Sequence, residues 1–578
     1  MLSLKRSSLC VNLVRRGVEM QKTWWKEAVC YQVYPRSFQD SNQDGIGDLN
    51  GVTRRLDYLK DLGIDVIWLS PMFKSPNDDN GYDISDYQAI MDEFGTMADF
   101  DALLEGVHAR GMKLILDLVI NHTSDEHEWF IESRASKDNP KRDWYVWRDG
   151  KDGAEPNNWE GIFDTPAWEY NEATDDYYLH IFSKKQPDLN WENEEVRQAL
   201  FDMVNWWLDK GIDGFRVDAI SHIKKDQTFK NAPAPNDEPY VKAWSQYMNV
   251  EGIAPFLIEL NQKTFRKHDV MTVGEANGVG IEDIEAWVNE DDGYFNMIFQ
   301  FETLGLWSVE EQHLDVLALK EGLTKWQHAL ADSGWNALFI ENHDQPRAVS
   351  TWGNDMTYWR ESAKALATMY FFMKGTPFIY QGQEIGMTNA AFDNIADYHD
   401  IQTTNQYERL LEEGMDEQQA KARVWKTNRG NSRTPMQWDA EIYGGFSKQQ
   451  PWIPMNKNYR DINVATQEND SQSILHYYKD IIRLRKREEA LVYGRYDLIL
   501  AEHPQVYAYT RTWQQERWLV LSNLSPQAAT IEAVEGIVYD ADQLQLATHK
   551  VAHDITAQLT LQPYEARIYK ILKTNRIR

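Results

Sequence analysis

Eight short apolar runs alternate along the chain with longer stretches in which apolar residues recur at helical spacing. The runs are rich in β-branched and aromatic residues and predict buried strands at 28–34, 65–70, 113–120, 214–220, 270–275, 294–301, 337–341 and 376–380. The clearest helical patterns cover 49–62, 97–110, 194–210 and 361–373. Eight strands that alternate with helices predict an α/β protein built on a (β/α)8 TIM barrel.

Two connections are too long for ordinary barrel loops. Residues 123–193 are polar, rich in tryptophan and irregular, and they predict a small domain inserted after strand three. Residues 386–433 contain a charged helical pattern at 408–424 and predict an insertion after strand eight. Long ordered insertions at this face of a barrel commonly shape a substrate pocket.

The pattern changes again after a helix predicted at 473–487. The runs at 505–511, 517–521 and 566–571 are short and alternate between apolar and polar positions, which predicts a C-terminal β-sandwich domain over 496–578. The barrel is then assigned to residues 20–122 and 194–495. Residues 1–19 are basic and only weakly apolar, and we interpret them as a disordered tail or as sequence upstream of a start at Met20.

Composition narrows the class of partner. The 578-residue chain has a formal net charge of −30, which argues against nucleic acids and anionic membranes as partners. No apolar run is long enough to span a bilayer. With only Cys10 and Cys30 a disulfide framework is excluded, so a reducing, cytoplasmic location is predicted. The 23 Trp and 28 Tyr residues are either mostly core residues or, in part, platforms for the apolar faces of sugar rings.

Acidic residues at predicted strand ends are the candidate chemistry. Asp218 ends strand four and Glu275 ends strand five, where parallel barrels place their active sites. Arg216, two residues before Asp218, would keep that carboxylate ionised, because a nearby positive charge lowers a carboxyl pKa. An ionised carboxylate facing a partly protonated acid is the equipment for cleaving a glycosidic bond.

At this point the motifs carry a family resemblance. The segments 117–122, 214–220, 272–276 and 342–347 resemble, in order, the four signature regions of the α-amylase superfamily of glycoside hydrolases (family 13). Segment 186–190 resembles an additional region of its oligo-1,6-glucosidase-like subgroup, and the resemblance runs from about Trp24 to the C-terminal end. It implies a retaining mechanism in which Asp218 is the nucleophile, Glu275 the general acid/base and Asp344 a third acid that holds sugar hydroxyls. His122 and His343 would hydrogen-bond the same sugar.

The same resemblance implies a pocket that is closed at one end. Tyr82 would stack on the terminal glucose, while Asp79 would bind its far hydroxyls and pair with Arg433. Such a pair stops a chain from extending past the first sugar, so the enzyme would remove one glucose at a time from a non-reducing end. Phe163 and Gln186 are further candidates for the pocket wall.

Linkage preference depends on the residues beside the nucleophile. Members of the subgroup that are specific for α-1,6 bonds typically carry Val where this chain has Ala219, so the smaller residue favours maltose and short malto-oligosaccharides. His222 and Asn277 would bind the second sugar, unless Ala219 is only a packing choice and His222 a surface residue. The alternatives are an oligo-1,6-glucosidase and a glucosyl-transferring or isomerising enzyme, such as a trehalose or sucrose isomerase. The Arg-rich loop of sucrose isomerases is absent from 350–356. A non-catalytic barrel subunit is the alternative from another class.

Residues 40–48 carry oxygen-bearing side chains at alternate positions, with Gly45 available for a tight turn. The resemblance implies a structural Ca²⁺ held by Asp40, Asn42, Asp44, the Ile46 carbonyl and Asp48. Mg²⁺, or a loop that needs no ion, is the alternative. The predicted partners are small oligosaccharides, and the chain is expected to be a monomer or a weak homo-oligomer.

Overall fold

Eight parallel strands form the centre of the computed structural model, which describes residues 22–571 apart from 237, 307–313, 533, 535–538, 552–554 and 557. The prediction for residues 1–19 lies outside this range. The strands are β1 (Cys30–Val33), β2 (Val66–Leu69), β3 (Lys113–Val119), β4 (Gly214–Asp218), β5 (Met271–Glu275), β6 (Met297–Phe299), β7 (Ala337–Leu338) and β8 (Thr376–Tyr380).

The strands form one sheet in the order β6-β5-β4-β3-β2-β1-β8-β7, in which every adjacent pair is parallel. This order is that of a nearly closed barrel, so the predicted (β/α)8 fold is confirmed. Each strand lies within a run predicted from sequence, although β7 is only two residues long. The carboxyl ends of β3, β4 and β5 are adjacent, which brings Asp117, Asp218 and Glu275 to one part of the barrel mouth.

Helices follow the strands and cover the barrel. The principal ones are Leu49–Arg54, Leu56–Leu62, Met97–Ala109, Glu194–Asp209, Ala254–Lys263, Val316–Ala329, Trp359–Phe371 and Ile474–Arg487. Two of the helical patterns predicted as single helices are each divided into two helices in the structure. The pattern at 49–62 breaks at Arg55, whose ψ of 6° departs from helical geometry. The pattern at 408–424 is divided between Ile401–Glu412 and Glu417–Thr427, with Gly414 at a φ of +90° between them.

The region inserted after β3 contains a helix, Glu128–Ala135, and a three-stranded antiparallel sheet of Trp147–Arg148, Asp176–Leu179 and Trp168–Asn171. The sequence analysis did not predict that another part of the chain would add a strand to this inserted region. The connection after β4 supplies a short strand, Val241–Lys242, that pairs with Trp159–Glu160 of the insertion. Apolar side chains of both segments share one buried cluster, which includes Trp159 and Phe229. The insertion is therefore held to the barrel by two connections.

The C-terminal region is a separate antiparallel β unit. Its five-stranded sheet consists of Arg495–Ile499, Val506–Trp513, Glu516–Asn523, Ala566–Ile571 and Leu544–Ala547, and two short strand pairs accompany it, Ala529–Ile531 with Leu559–Leu561 and Tyr539–Asp540 with Ile555–Thr556. Lys320 of the barrel donates to the carbonyls of Leu500 (2.8 Å) and His503 (2.6 Å) and so joins the two units. None of the helices in the described part of the chain has the length and apolar character needed to cross a membrane.

Candidate active site

One buried guanidinium connects the carboxylates at the ends of three strands. Arg216 and Asp218 are two residues apart on β4 and therefore project to the same side. Arg216 Nη1 donates to Asp218 Oδ1 and to Asp117 Oδ1, both at 2.7 Å, and its Nη2 donates to Glu275. Because the two terminal nitrogens of one guanidinium bind them, Asp218 and Glu275 are close neighbours, and retaining glycosidases use a pair of neighbouring carboxyl groups.

The protonation of Asp218 differs from the sequence-based prediction. Burial raises the pKa of Asp218 well above its usual range; Arg216 opposes this rise, while the Glu275 carboxylate adds to it. Arg216 alone therefore does not keep Asp218 ionised in the ligand-free site, because it is shared among three carboxylates. Adjacent carboxyl groups of this kind hold one proton between them.

Ala219 has a left-handed backbone conformation, with φ at +45° and ψ at 31°. This conformation is uncommon for a residue with a side chain. It directs the Ala219 N–H to Glu275 Oε2 at 3.1 Å, so the residue after Asp218 also positions Glu275. A bulkier β-branched residue would be strained here independently of the space in the pocket.

Asp344, which lines the same pocket, contacts a histidine and two arginines. His343 Nε2 lies 3.0 Å from Asp344 Oδ2, and Arg433 Nη2 lies 2.8 Å from Oδ1. Burial raises the pKa of Asp344, but His343, Arg429 and Arg433 outweigh it and hold the pKa well below its usual range. Asp344 is therefore an ionised hydrogen-bond acceptor, as a residue that holds sugar hydroxyls should be.

Tyr82 joins the two sides of the site. Its ring stacks on His343 with centroids 5.2 Å apart and planes 8° from parallel, and its hydroxyl donates to Asp117 Oδ2 at 3.0 Å. These contacts fix the ring at the pocket wall. Its predicted role as a sugar platform stays a prediction.

The prediction that Arg433 pairs with Asp79 is wrong, because a different arginine forms that ion pair. Arg429, which the sequence analysis did not single out, donates from Nη2 to Asp79 Oδ1 at 2.7 Å. Gln186 donates to the other oxygen of Asp79 at 3.1 Å. Arg433 lies beside Asp344 instead and also donates to the His343 carbonyl at 3.1 Å.

Two histidines near the pocket are buried and neutral. His122 contacts the Tyr82 carbonyl and the Gln186 amide, each at 3.1 Å, and burial lowers its pKa to about 3. His222 is fully buried, which contradicts the surface alternative, and its Nδ1 lies 2.8 Å from the Tyr247 carbonyl. Its ring packs edge-on against Phe182, which lines the pocket, with centroids 6.1 Å apart. Its predicted contact with a second sugar stays a prediction.

The pocket that contains Asp218 and Glu275 encloses about 200 Å³. Its wall includes the predicted residues Asp79, Tyr82, His122, Phe163, Ala219, Asn277 and Asp344. Four other predicted residues lie behind the wall and each contacts one wall residue. Gln186 contacts Asp79, His343 contacts Tyr82, Arg216 contacts Asp218 and Arg433 contacts Asp344. Sequence reasoning missed Ile162, Phe182, Phe301, Asn342, Gln345, Gln402 and Arg429. Asn342 and Gln345 flank Asp344 and could have been included from position alone, whereas Gln402 comes from the insertion after β8 and carried no signal.

The loop predicted to hold a metal is ordered by its own hydrogen bonds. Asp40 Oδ1 accepts from the N–H groups of Asn42 (3.0 Å) and Gln43 (2.6 Å), and its Oδ2 accepts from Gly45 N at 2.9 Å. Asp48 accepts from Gly51 N at 2.7 Å and caps the helix Leu49–Arg54. Oxygen donors suit Ca²⁺, but the described residues contain no cluster of three or more His, Cys, Asp and Glu side chains able to hold a metal. The metal stays a prediction.

A buried acid pair and a third, cation-bound Asp at the mouth of a (β/α)8 barrel define the class of glycoside-cleaving barrel enzymes. Comparison with known families agrees. Residues 32–494 match the model of the alpha amylase catalytic domain, and residues 496–568 match the maltogenic amylase C-terminal domain. The chain therefore belongs to the α-amylase family of glycoside hydrolases, family 13.

Relatives cover almost the whole chain. It is 55% identical over 552 residues to the probable oligo-1,6-glucosidase 3 of Bacillus subtilis (strain 168), a match that covers 95% of this chain and 100% of the relative. It is 43% identical over 563 residues to the trehalose-6-phosphate hydrolase of the same organism, covering 96% and 99%. Among solved structures, the isomaltulose synthase from Protaminobacter rubrum superposes with a TM-score of 0.91 at 40% identity, covering 95% of this chain and 99% of that one. The resemblance inferred from the motifs is thus confirmed.

Proposed function

We propose that the protein is a retaining, exo-acting α-glucosidase that releases α-glucose from the non-reducing ends of maltose and short malto-oligosaccharides. The observation that carries the proposal is a single pocket of about 200 Å³ that contains both the Asp218–Glu275 pair and the Asp79–Arg429 ion pair. The first pair supplies the chemistry. The second provides charged hydrogen-bonding groups for the far side of one glucose, and the small volume favours a terminal sugar over a continuous chain.

The reaction follows from the acid pair. Asp218 attacks the anomeric carbon while Glu275 gives its proton to the leaving glycosidic oxygen, which leaves a covalent glucosyl ester on Asp218. Glu275 then takes a proton from water, the resulting hydroxide attacks the same carbon, and Asp218 departs as a carboxylate. Two inversions produce net retention. Any alcohol that takes the place of water yields a transfer product, so transglucosylation accompanies hydrolysis.

Preference for α-1,4 bonds is proposed from Ala219, which lines the pocket directly after the nucleophile and leaves more room than Val would. The names of similar relatives favour a second candidate, an oligo-1,6-glucosidase. Because a trehalose-6-phosphate hydrolase and an isomaltulose synthase are also similar to this chain, activity on trehalose-type or sucrose-type substrates is a further alternative.

We also propose that loop 40–48 holds a structural Ca²⁺, with Mg²⁺ as the alternative ion. The support is the set of oxygen donors at Asp40, Asn42, Asp44, Ile46 and Asp48, which are the ligands that hard cations take. The ion would stabilise the connection after β1. No step of the glucosidase reaction depends on it.

The test is a comparison of initial rates on maltose, isomaltose, sucrose and trehalose, with glucose and all other products quantified. Faster cleavage of maltose than of isomaltose supports the proposal, and the reverse identifies an oligo-1,6-glucosidase. An Asp218→Asn variant is the mechanistic control. Loss of its nucleophilic carboxylate should reduce turnover by at least about 10⁴-fold if covalent catalysis operates, and substantial remaining hydrolysis would contradict the assignment of Asp218.

A further inference from the structure

The structure assigns a positioning role to Asp400, a residue outside the pocket wall. We propose that Asp400 is the anchor that aims Arg429 at Asp79 and Arg433 at Asp344, and so presets the sugar-binding end of the active site. This inference rests on the proposed function of the same pocket. Asp400 is not a catalytic residue, because its contacts are to protein groups that in turn contact the pocket.

Asp400 is completely surrounded. Its side chain has no exposed area. Oδ1 accepts from Arg429 Nε at 2.7 Å, lies 2.7 Å from Arg429 Nη2, and accepts from Arg433 Nη1 at 3.3 Å. Oδ2 accepts from the N–H (2.8 Å) and the hydroxyl (2.7 Å) of Thr403. Both oxygens are fully engaged, so neither is available to a sugar hydroxyl.

The two arginines transmit this anchoring to the pocket. Arg429 places Nη2 2.7 Å from Asp79 Oδ1 and Nη1 3.3 Å from Asp344 Oδ1, and Arg433 places Nη2 2.8 Å from that same oxygen of Asp344. Asp79 and Asp344 both line the pocket. One buried carboxylate thus fixes the two cations that determine the direction of two sugar-facing carboxylates.

Asp400 also fixes a third part of the wall. It is the N-cap of the helix Ile401–Glu412, whose second residue, Gln402, lines the pocket. Further along this helix, Asn405 donates to the Phe163 carbonyl at 3.1 Å, and Phe163 also lines the pocket. Asp400 therefore lies where the insertion after β8 begins to cover the pocket.

Charge explains why a neutral substitute would fail. Asp79, Asp344 and Asp400 balance Arg429 and Arg433 with one negative charge in excess. Without the carboxylate of Asp400, the anionic partners left to the two buried guanidinium groups among the described residues are the two pocket carboxylates. They would bind Asp79 and Asp344 more tightly and turn their oxygens away from the sugar, so substrate affinity should fall more than the rate of the chemical step.

The test is an Asp400→Asn variant, because asparagine is nearly the same size and is also a good N-cap. Asp416 is the matched control, since it caps the neighbouring helix Glu417–Thr427 at 3.0 Å from Gln418 N and Gln419 N without contacting either arginine. We expect Asp400→Asn to raise KM for maltose and for 4-nitrophenyl α-glucoside by about tenfold or more, with kcat reduced less than KM is raised, while Asp416→Asn changes neither. Equal kinetics in the two variants would overturn the inference.

A double-variant cycle separates positioning from a general structural effect. Asp79→Asn and Asp400→Asn should be strongly non-additive in kcat/KM, because one acts through the other, whereas Asp79→Asn and Asp416→Asn should be additive. Additivity in the first cycle would refute the proposed route. If Asp400→Asn does not fold, Thr403→Val, which removes the hydroxyl donor to Oδ2, should still raise KM severalfold at unchanged kcat, and an unchanged KM would refute the role. A parent enzyme that cleaves neither glucoside would instead contradict the proposed function itself.

Discussion

Replacing Arg429 with glutamine is the sharpest test of how the closed end of the pocket works. The side chain of Arg429 is 8% exposed and bonds Asp79 at 2.7 Å, so the change leaves a buried carboxylate with only Gln186 as a side-chain donor. Loss of a hydrogen bond to a charged group costs about 1.5–3 kcal/mol, and breaking a buried ion pair costs about 3–5 kcal/mol. The two ranges meet near 3 kcal/mol, which corresponds to a fall in kcat/KM of about 150-fold.

The pH dependence of this variant gives a second signature. Burial raises the pKa of Asp79, and Arg429 is the strongest group opposing that rise. Without Arg429 the pKa of Asp79 rises further, so the carboxyl takes up a proton at a higher pH. The kcat/KM of Arg429→Gln should therefore recover partly as the pH is raised from about 5 to 8, beyond any change in the parent enzyme.

The assay is the initial rate on maltose and on 4-nitrophenyl α-glucoside across this pH range, together with the melting temperature of each variant. Arg423→Gln, on the exposed side of the helix Glu417–Thr427, is the matched control and should behave like the parent. Refutation would be an Arg429→Gln enzyme that stays within threefold of the parent at every pH while remaining folded. That result would mean that the contacts of Asp79 with Arg429 do not contribute to sugar binding.

Three further predictions concern other parts of the molecule. Ala219→Val should lower kcat/KM for maltose by about tenfold or more and for isomaltose by less, because Val adds bulk beside Asp218 and is strained by about 1–3 kcal/mol at a φ of +45°; a shift of the ratio toward maltose would contradict it. His127, whose pKa burial lowers to about 3, should contribute stability above its ordinary value of 6.5 that is lost as the pH falls below it. Between pH 7.5 and 5, His127 should lower the free energy of unfolding by about 2 kcal/mol. In urea unfolding, the free energy of His127→Asn should therefore fall by about 2 kcal/mol less than that of the parent over this pH range. An equal fall in both proteins would refute this prediction. Chelation with EDTA should lower the melting temperature of the parent by several degrees, restored best by Ca²⁺, but not that of Asp40→Asn; a parent that does not respond would refute the metal at loop 40–48.

The positions of Asp218 and Glu275 at neighbouring strand ends could be predicted from sequence because strand periodicity places them there. Asp218 and Glu275 each end a buried run, and parallel strands in a barrel share the direction of their carboxyl ends. The expected roles of these two residues as nucleophile and general acid/base came from the family resemblance rather than from this pattern. Asp344 was instead reached through the family resemblance of segment 342–347, because it lies six residues beyond the two-residue strand β7.

The opposite end of the pocket could not be predicted in the same way. Arg429 and Arg433 lie in one buried 3-10 segment, Arg429–Arg433, and both are surrounded by carboxylates. The sequence positions of Arg429 and Arg433 do not predict which of them contacts Asp79, because that contact depends on the path of some fifty inserted residues before them. Asp400 had even less signal, since an Asp before a helix is ordinarily only a cap. The strand Val241–Lys242 was missed for a related reason, because two residues are too few to show alternation.

The distribution of arginines along the pocket explains where its proton is held. At the closed end, two guanidinium groups face Asp79, Asp344 and Asp400, and the pKa of Asp344 is held well below its usual range, so that carboxyl carries no proton. At the other end, Arg216 is shared among Asp117, Asp218 and Glu275, and burial raises the pKa values of Asp117 and Asp218 although Arg216, and for Asp117 also His343, oppose the rise.

One cation among three buried carboxyl groups leaves excess negative charge, which favours a retained proton. General acid catalysis needs such a proton, and sugar binding needs ionised acceptors. The electrostatics therefore separate Asp344, whose pKa is lowered, from Asp79, Asp117 and Asp218, whose pKa values burial raises. A second arginine or lysine placed beside Asp218 should accordingly lower the pKa of that carboxyl, and the pH dependence of kcat/KM is the measurement that would show the shift.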